Sequence, residues 1–185
     1  NVQRLRFPLR VDRGLNRCTL TPTHHPTSQE PIRSMIQDQI SIGVLGCGPI
    51  AQSAHFESCS KARNARLYAI CDRAPDLVAR MAAIHQPEKT YADFGEMLTD
   101  PQIDAVIIAC ADQFHVPLSL QALSAGKHVF VEKPMASNVI EAKQLIKIAK
   151  SKNLNLFVGH VFLYNEIFKK IKKIDRQESI TYAHF

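Results

Sequence analysis

A glycine-rich turn is the first group of residues whose types and spacing could bind a ligand. Gly46 would permit a tight bend, Gly48 would leave room for a pyrophosphate group, and Ala51 would let a helix pack closely on the preceding strand. The first N–H groups of that helix and the positive end of its dipole would bind the phosphates. Pro49 suits the first helical position, because it lacks an N–H that would need an intrahelical partner. The residues predicted to contact the ligand in this turn are Gly46, Gly48, Pro49 and Ile50.

A carboxylate follows the second apolar run of the chain. Asp72 lies about 20 residues beyond the glycine-rich turn, where its side chain could accept hydrogen bonds from both hydroxyls of an adenosine ribose. Its negative charge would repel a 2′-phosphate, so we expect NAD to be preferred over NADP. Arg73 could attract that phosphate, which leaves NADP as an alternative. Asp72 could instead cap the helix that follows it.

Polar or conformationally permissive residues stand at the end of every predicted strand. Because the carboxyl ends of parallel strands open onto one edge of a sheet, we expect these residues to share a crevice. Lys133 is the main catalytic candidate, since the following proline favours an extended backbone that would aim its ammonium group into the crevice. There it could stabilise charge on a substrate oxygen as a hydride moves, or it could merely pair with Glu132. The strand ends carry Gly46, Asp72, Cys110-Ala111-Asp112, Glu132-Lys133-Pro134 and Gly159-His160.

The elements that must position these residues alternate short apolar runs with amphipathic stretches, which is typical of βαβ units. The predicted strands span 40–45, 67–71, 105–110, 128–131 and 154–158. The predicted helices lie near 49–60, 74–84, 93–98, 115–125 and 139–152. The strands are almost continuously apolar, as expected when helices cover both faces of a sheet. The sequence therefore predicts an α/β fold with a Rossmann-type, doubly wound parallel sheet.

Residues 122–134, ALSAGKHVFVEKP, resemble the signature of a family that contains glucose-fructose oxidoreductase, inositol dehydrogenase and the rhizopine-catabolism (MocA) dehydrogenase. The AGKHV run and the EKP triplet occur in register with the glycine-rich turn, and the resemblance covers roughly residues 36–175. It implies an NAD(P)-dependent oxidoreductase that moves a hydride between nicotinamide and a secondary alcohol or ketone of a sugar, inositol or sugar nucleotide. It also implies that Lys133 contacts the reacting hydroxyl and that Glu132 helps to hold the nicotinamide ribose.

The chain departs from this family after the third predicted strand. Members commonly carry Thr-Pro-Asn before a histidine, whereas this chain has Cys110-Ala111-Asp112 followed by His115. These four residues are expected near the cofactor, although His115 could instead pack at a helix start. Residues 157–165, FVGHVFLYN, are similar to members that act on sugars, which implies that His160 and Tyr164 face the substrate. The alternative for His160 is a contact between domains.

The sequence divides into three predicted segments. Residues 1–34 are rich in proline and arginine and are expected to form a loose basic leader, an extension of the reading frame or an organelle transit peptide. Residues 35–158 would form the dinucleotide-binding domain, and 159–185 would begin a truncated α+β substrate domain whose first strand covers 179–185. Because family members continue further, the alternative function is a non-catalytic dinucleotide-binding module or an inactive fragment of such an enzyme.

The composition narrows the class of partner. Residues 1–34 carry +4 of the net charge of +6, so the predicted folded part has no strongly basic face for nucleic acid. The five cysteines are dispersed without metal-ligand spacing, and no apolar run approaches the roughly 20 residues that cross a bilayer. We expect a cytoplasmic protein that acts on a small-molecule sugar or polyol, without a metal, nucleic acid or membrane. The full-length form could pair as a homo-oligomer.

Overall fold

The computed structural model describes residues 39–178, and it describes side chains up to residue 173. Its strands are β1 (Ile40–Leu45), β2 (Ala65–Cys71), β3 (Lys89–Tyr91), β4 (Ala105–Ile108), β5 (His128–Val131) and β6 (Leu156–Val158). They form one parallel sheet in the order β3-β2-β1-β4-β5-β6. The order reverses direction between β1 and β4, which is the point where doubly wound sheets bind ligands. The predicted Rossmann-type sheet is therefore confirmed.

Helices connect the strands on both faces of the sheet. They are α1 (Phe56–Lys61), α2 (Pro75–His85), α3 (Phe94–Thr99), α4 (His115–Ser124), α5 (Val139–Ser151) and α6 (Glu166–Glu178). A π-helical turn, Ala51–His55, leads into α1. Short 3₁₀ turns precede α4 and α6, at Asp112–Phe114 and Val161–Tyr164. No helix within residues 39–178 is both long enough and apolar enough to cross a membrane.

Two apolar clusters fill the space between the sheet and its helices. Neighbouring strand residues point into different clusters: Val44 packs with Phe56 and Met81 on the face covered by α1 and α2. Leu45 packs with Leu123 on the other face, under α3, α4 and α5. Both faces of each central strand are therefore buried, which explains why the strands are apolar at consecutive positions rather than at alternate ones.

Two elements were not predicted from the sequence. Strand β3 has three residues and lies at the edge of the sheet, where Lys89 and Thr90 are exposed, so it has no apolar run. Helix α6 lies in the segment that was assigned only as the start of a second domain. Strand β4 ends at Ile108, two residues earlier than predicted, although the N–H of Ala109 still donates to the carbonyl of Leu45 at 2.8 Å. The predicted leader and the predicted strand over 179–185 lie outside the described residues.

Part of the AGKHV run is structural. The side chain of Lys127 is buried, and its Nζ donates hydrogen bonds of 2.8 Å to the carbonyl oxygens of Asp100 and Ile103. Nδ1 of His128 accepts a hydrogen bond of 2.9 Å from the main-chain N–H of Asn155, just before β6. Gly126 has a φ of +79°, a value that suits glycine at the end of α4. These contacts lie at the amino-terminal ends of β4, β5 and β6, whereas the EKP triplet follows the carboxyl-terminal end of β5.

Candidate functional site

The glycine-rich turn leaves an opening over the start of a helical segment. Gly46 has a φ of +95°, and a Cβ at this position would lie 2.8 Å from the carbonyl oxygen of Ala109, so the bend requires glycine. A Cβ at Gly48 would meet no atom within 4 Å. Pro49 and Ile50 are exposed beside it. The space above Gly48 is therefore accessible to a ligand, and free main-chain N–H groups at a helix start suit a phosphate there.

The residue between the two glycines carries no charge. Cys47 is fully buried, and its burial, followed by the nearby charge of Asp72, raises the pKa of the thiol to about 12. The thiol is therefore protonated at neutral pH. The main chain of this residue is held from both sides, because its N–H donates to Asp72 Oδ2 at 2.8 Å and its carbonyl accepts from Gln52 Nε2 at 2.7 Å.

Asp72 lies at the end of β2, as the sequence predicted. Its Oδ1 atom accepts a hydrogen bond of 3.0 Å from the main-chain N–H of Ala74, and Oδ2 accepts from Cys47. The N-cap of α2 is Ala74 rather than Asp72, so the alternative that Asp72 caps this helix is wrong. Asp72 is half-buried, and each carboxylate oxygen keeps a second lone pair that could accept from a ribose hydroxyl. Arg73 is exposed next to it.

The two predicted catalytic residues, Lys133 and His160, line the same cleft. The cleft has a volume of about 450 Å³ and an otherwise largely apolar lining. The lining residues are Lys133, Gly159, His160, Val161, Phe162, Leu163 and Phe168. Lys133 is exposed and lies two residues after the end of β5. Tyr164 does not line this cleft; its ring stacks on Phe157 with 6.3 Å between the centroids.

Glu132 lies behind the cleft instead of lining it. It is 8% exposed, and its Oε1 atom is 2.9 Å from Nε2 of His55 in the π-helical turn. Its Oε2 atom accepts from the main-chain N–H of Lys133 at 3.3 Å. His55 was not singled out from the sequence. The available signal was its helical spacing from Ala51 and Cys59, which places a histidine on the buried face of the helix.

His115 is buried at the start of α4, with 1% of its surface exposed. Its Nδ1 atom is 2.6 Å from the carbonyl oxygen of Pro134, and its Nε2 atom is 3.1 Å from that of Cys110. The side chain thus connects the end of β4 to the loop that follows Lys133. This is the packing role that the sequence left open, and it places the imidazole inside the fold rather than in the cleft.

The remaining predicted cofactor contacts lie between β4 and α4. Ala111 and Asp112 are exposed, and Oδ1 of Asp112 accepts from the N–H of Gln113 at 2.9 Å. Cys110 is half-buried, and burial raises the pKa of its thiol. Within residues 39–178, no group of three or more His, Cys, Asp or Glu side chains could hold a metal ion.

The switch-point opening over Gly48, a carboxylate at the end of β2 and a lysine at the end of β5 define a Rossmann-type dinucleotide-binding domain. A family model described as "Oxidoreductase family, NAD-binding Rossmann fold" matches residues 40–160. The chain belongs to this family, the Gfo/Idh/MocA oxidoreductases, which confirms the resemblance seen in the sequence.

Several relatives act on inositols. The chain is 34% identical over 143 residues to myo-inositol 2-dehydrogenase of Thermotoga maritima, an alignment that covers 77% of this chain and 42% of that protein. It is 31% identical over 118 residues to an NADP-dependent scyllo-inositol 2-dehydrogenase of Bacillus subtilis, covering 64% and 36% of the two chains. Its fold matches scyllo-inositol dehydrogenase of Lactobacillus casei, solved with NAD(H) and scyllo-inositol, with a TM-score of 0.70, 27% identity and coverage of 77% and 42%. The chain therefore spans about two fifths of the length of its inositol-dehydrogenase relatives.

Proposed function

We propose that this protein is an NAD(P)-dependent dehydrogenase that moves a hydride between nicotinamide and a secondary alcohol or ketone carbon of a sugar, an inositol or a sugar nucleotide. The observation that carries the proposal is the common cleft of Lys133 and His160, which lies at the same edge of the sheet as the open glycine-rich turn. Two relatives whose names specify an inositol as substrate support the polyol class.

The residues around the glycine-rich turn would hold the adenosine half of the cofactor. The helix start beyond Gly48 offers N–H groups and a positive dipole end to the pyrophosphate. Asp72 would accept from the adenosine ribose, and its charge favours NAD over a cofactor with a 2′-phosphate. The exposed Arg73 would offer a positive charge to the 2′-phosphate of NADP. One inositol dehydrogenase relative is named for NADP⁺, and another was solved with NAD(H).

Lys133 would act on the substrate oxygen. When bound, the cofactor supplies the hydride acceptor or donor. The ammonium group of Lys133 would donate a hydrogen bond to the reacting hydroxyl and stabilise the negative charge that grows on its oxygen as the hydride leaves. His160 also lines this cleft, and it would contact the substrate or exchange a proton with it. The apolar residues of the cleft would exclude water from the reacting carbon.

The test combines binding with turnover. The 185-residue chain is titrated with NAD⁺ and NADP⁺, and it is then incubated with NAD⁺ and a panel of inositols, sugars and sugar nucleotides while the absorbance of reduced nicotinamide is followed. We expect saturable NAD⁺ binding, and a loss of turnover of about 100-fold or more in Lys133→Met. The matched control is Lys143→Met, because Lys143 is an exposed lysine on α5 away from the cleft.

A second candidate function is a dinucleotide-binding module without catalysis. It is favoured by the part of the chain that the family model matches, residues 40–160, which is described as an NAD-binding Rossmann fold. The same experiment separates the two functions. Saturable NAD⁺ binding without turnover of any compound, and unaffected by Lys133→Met, would identify the module.

A further inference from the structure

A buried contact between His55 and Glu132 joins the two regions that the proposed function uses. His55 lies in the π-helical turn that follows the glycine-rich turn, and Glu132 directly precedes Lys133. Nε2 of His55 is 2.9 Å from Oε1 of Glu132, and each side chain is 10% exposed. The ring of His55 also packs edge-on against Phe130 of β5, with 5.4 Å between the centroids. The helix that would hold the pyrophosphate is thus connected to the loop that carries the lysine.

The protonation of His55 follows from its surroundings. Burial lowers the pKa of the imidazole from its usual value, although the charge and hydrogen bond of Glu132 act in the opposite direction. The imidazole is therefore neutral at pH 7. Because a carboxylate can only accept, the shared hydrogen lies on Nε2 of His55 and is donated to Glu132.

The Glu132 carboxylate is also confined on its other side. A Cβ at Gly159 would lie 3.0 Å from its carbon and from both of its oxygens, so a side chain at position 159 would displace it. Its second oxygen accepts from the N–H of Lys133 at 3.3 Å. The carboxylate is hydrogen-bonded to His55 and to the backbone of Lys133, and it lies close to the main chain of Gly159. It therefore has little freedom to move.

We propose that His55 is a positioning residue: through its hydrogen bond to Glu132, it fixes the main chain of Lys133 for the nicotinamide half of a bound dinucleotide. This inference rests on the proposed function. A histidine with a purely structural role would affect the whole nucleotide site, because it would act through the stability of the helix. A positioning role through Glu132 instead affects only ligands that extend to the EKP triplet.

The test compares two ligands of different length. NAD⁺ would reach from the glycine-rich turn to Lys133, whereas ADP would occupy only the adenosine and phosphate end. Both are titrated into the full 185-residue chain and into His55→Gln and His55→Met by isothermal calorimetry. Gln places a donating nitrogen near the position of Nε2, and Met has a similar length but cannot donate. We expect His55→Met to weaken NAD⁺ binding about tenfold, as for one lost charge-assisted hydrogen bond, and to leave ADP binding unchanged. His55→Gln should bind both ligands as the wild type does.

His85→Met is the matched control. The His85 ring packs on Phe56 of α1 with 4.8 Å between the centroids, so this variant also removes a histidine from the surroundings of the helix, but away from Glu132. It should bind both ligands as the wild type does. If His55→Met weakens NAD⁺ and ADP equally, or weakens neither, the positioning role is wrong while the proposed function stands. If the wild type binds neither ligand, the proposed function fails and the positioning role fails with it.

A second pair of variants tests the same contact if His55→Met does not fold. Glu132→Asp keeps the charge but shortens the side chain by one methylene, so the carboxylate no longer reaches His55. NAD⁺ binding should weaken and ADP binding should not. His55→Asn has an amide one methylene shorter than that of Gln, so it no longer reaches Glu132 and should also weaken NAD⁺ binding but not ADP binding. In the double variant of Glu132→Asp with His55→Asn, the loss should equal that of Glu132→Asp alone, because the two residues act through one contact. Additive losses, with each variant weakening NAD⁺ binding independently, would overturn the proposal.

Discussion

The carboxylate of Asp72 accepts a 2.8 Å hydrogen bond from the main-chain N–H of Cys47. This bond connects the end of β2 to the glycine-rich turn, so one side chain orders both the predicted ribose site and the predicted phosphate site. Its other oxygen accepts from Ala74 at the start of α2. Asp72 therefore shapes the backbone of the site in addition to any contact that it makes with a ligand.

Replacement of Asp72 by serine should change the choice of cofactor. We expect Asp72→Ser to lower the affinity for NAD⁺ by about tenfold and to raise the affinity for NADP⁺ relative to NAD⁺, because the charge that repels a 2′-phosphate is removed while Arg73 stays. Titrations with both cofactors measure this ratio. Asp76→Ser, at an exposed position in the first turn of α2, is the control and should leave the ratio unchanged. If the ratio of NADP⁺ to NAD⁺ affinity is unchanged in Asp72→Ser, the 2′-position of the adenosine ribose does not lie next to Asp72.

The two glycines of the turn should respond differently to alanine. Gly46→Ala should lower the free energy of unfolding by about 2 kcal/mol or more, because it combines a positive φ with a close contact to Ala109. Gly48→Ala should change it by less than about 0.5 kcal/mol, because its Cβ would meet no atom within 4 Å, but should weaken NAD⁺ binding at least about tenfold. Urea denaturation and NAD⁺ titration measure the two effects. Normal NAD⁺ binding by Gly48→Ala would show that the opening does not hold the phosphates.

The buried amine of Lys127 should contribute to stability and not to binding. Lys127→Met leaves two buried carbonyl groups, those of Asp100 and Ile103, without their donor, which should cost about 2 to 4 kcal/mol of unfolding free energy. Lys152→Met removes a comparable bond to the carbonyl of Ser124, but at an exposed position, and should cost less than about 1 kcal/mol. Denaturant unfolding measures the difference. Equal losses in the two variants would contradict the structural role of Lys127.

Stability should fall in mild acid. Burial lowers the pKa of both His55 and His128 from the ordinary value of 6.5. The unfolded chain therefore binds more protons just below this pH, so the stabilisation present above pH 6.5 is lost as the pH falls through the lower native pKa values. Protonation of His128 would also remove the lone pair that accepts from Asn155. Thermal unfolding between pH 7.5 and 5 measures the change.

Substitution of His128 and His55 separates their contribution to the acid sensitivity of Tm from the contribution of the carboxylates. In His128→Asn, an amide oxygen can accept the same N–H but cannot titrate, so the decrease of Tm between pH 6.5 and 5 should be smaller than in the wild type. His55→Gln should act in the same direction. Parallel Tm profiles of the wild type and both variants would show that these histidines do not cause the acid sensitivity.

Much of the sheet was predictable because its central strands are buried on both faces. Such strands appear as apolar runs, and the residue at the end of each run then falls at the ligand edge by topology alone. The positions of the glycine-rich turn, Asp72 and Lys133 at this edge were predicted in this way. Strand β3 was missed because an exposed edge strand such as Lys89–Tyr91 needs no apolar run.

Contacts between residues distant in sequence were not predictable. His55 and Glu132 are 77 positions apart, and their pairing depends on how the π-helical turn packs against Phe130 of β5. The assignment of His115 was left open for the same reason, since only the folded loop brings the Pro134 carbonyl to its ring. Sequence spacing places a residue on an element, but it does not tell which side chains from another element will face it.

The burial of Cys47 protects the turn in which it lies. Thiolates, and not thiols, react with peroxides and alkylating agents. With a pKa of about 12, only on the order of one molecule in 10⁵ carries the thiolate at pH 7. The protein can therefore keep a cysteine between Gly46 and Gly48 without making this turn a target for oxidants, and we expect cofactor binding to persist through oxidative stress that inactivates enzymes with exposed active-site thiols.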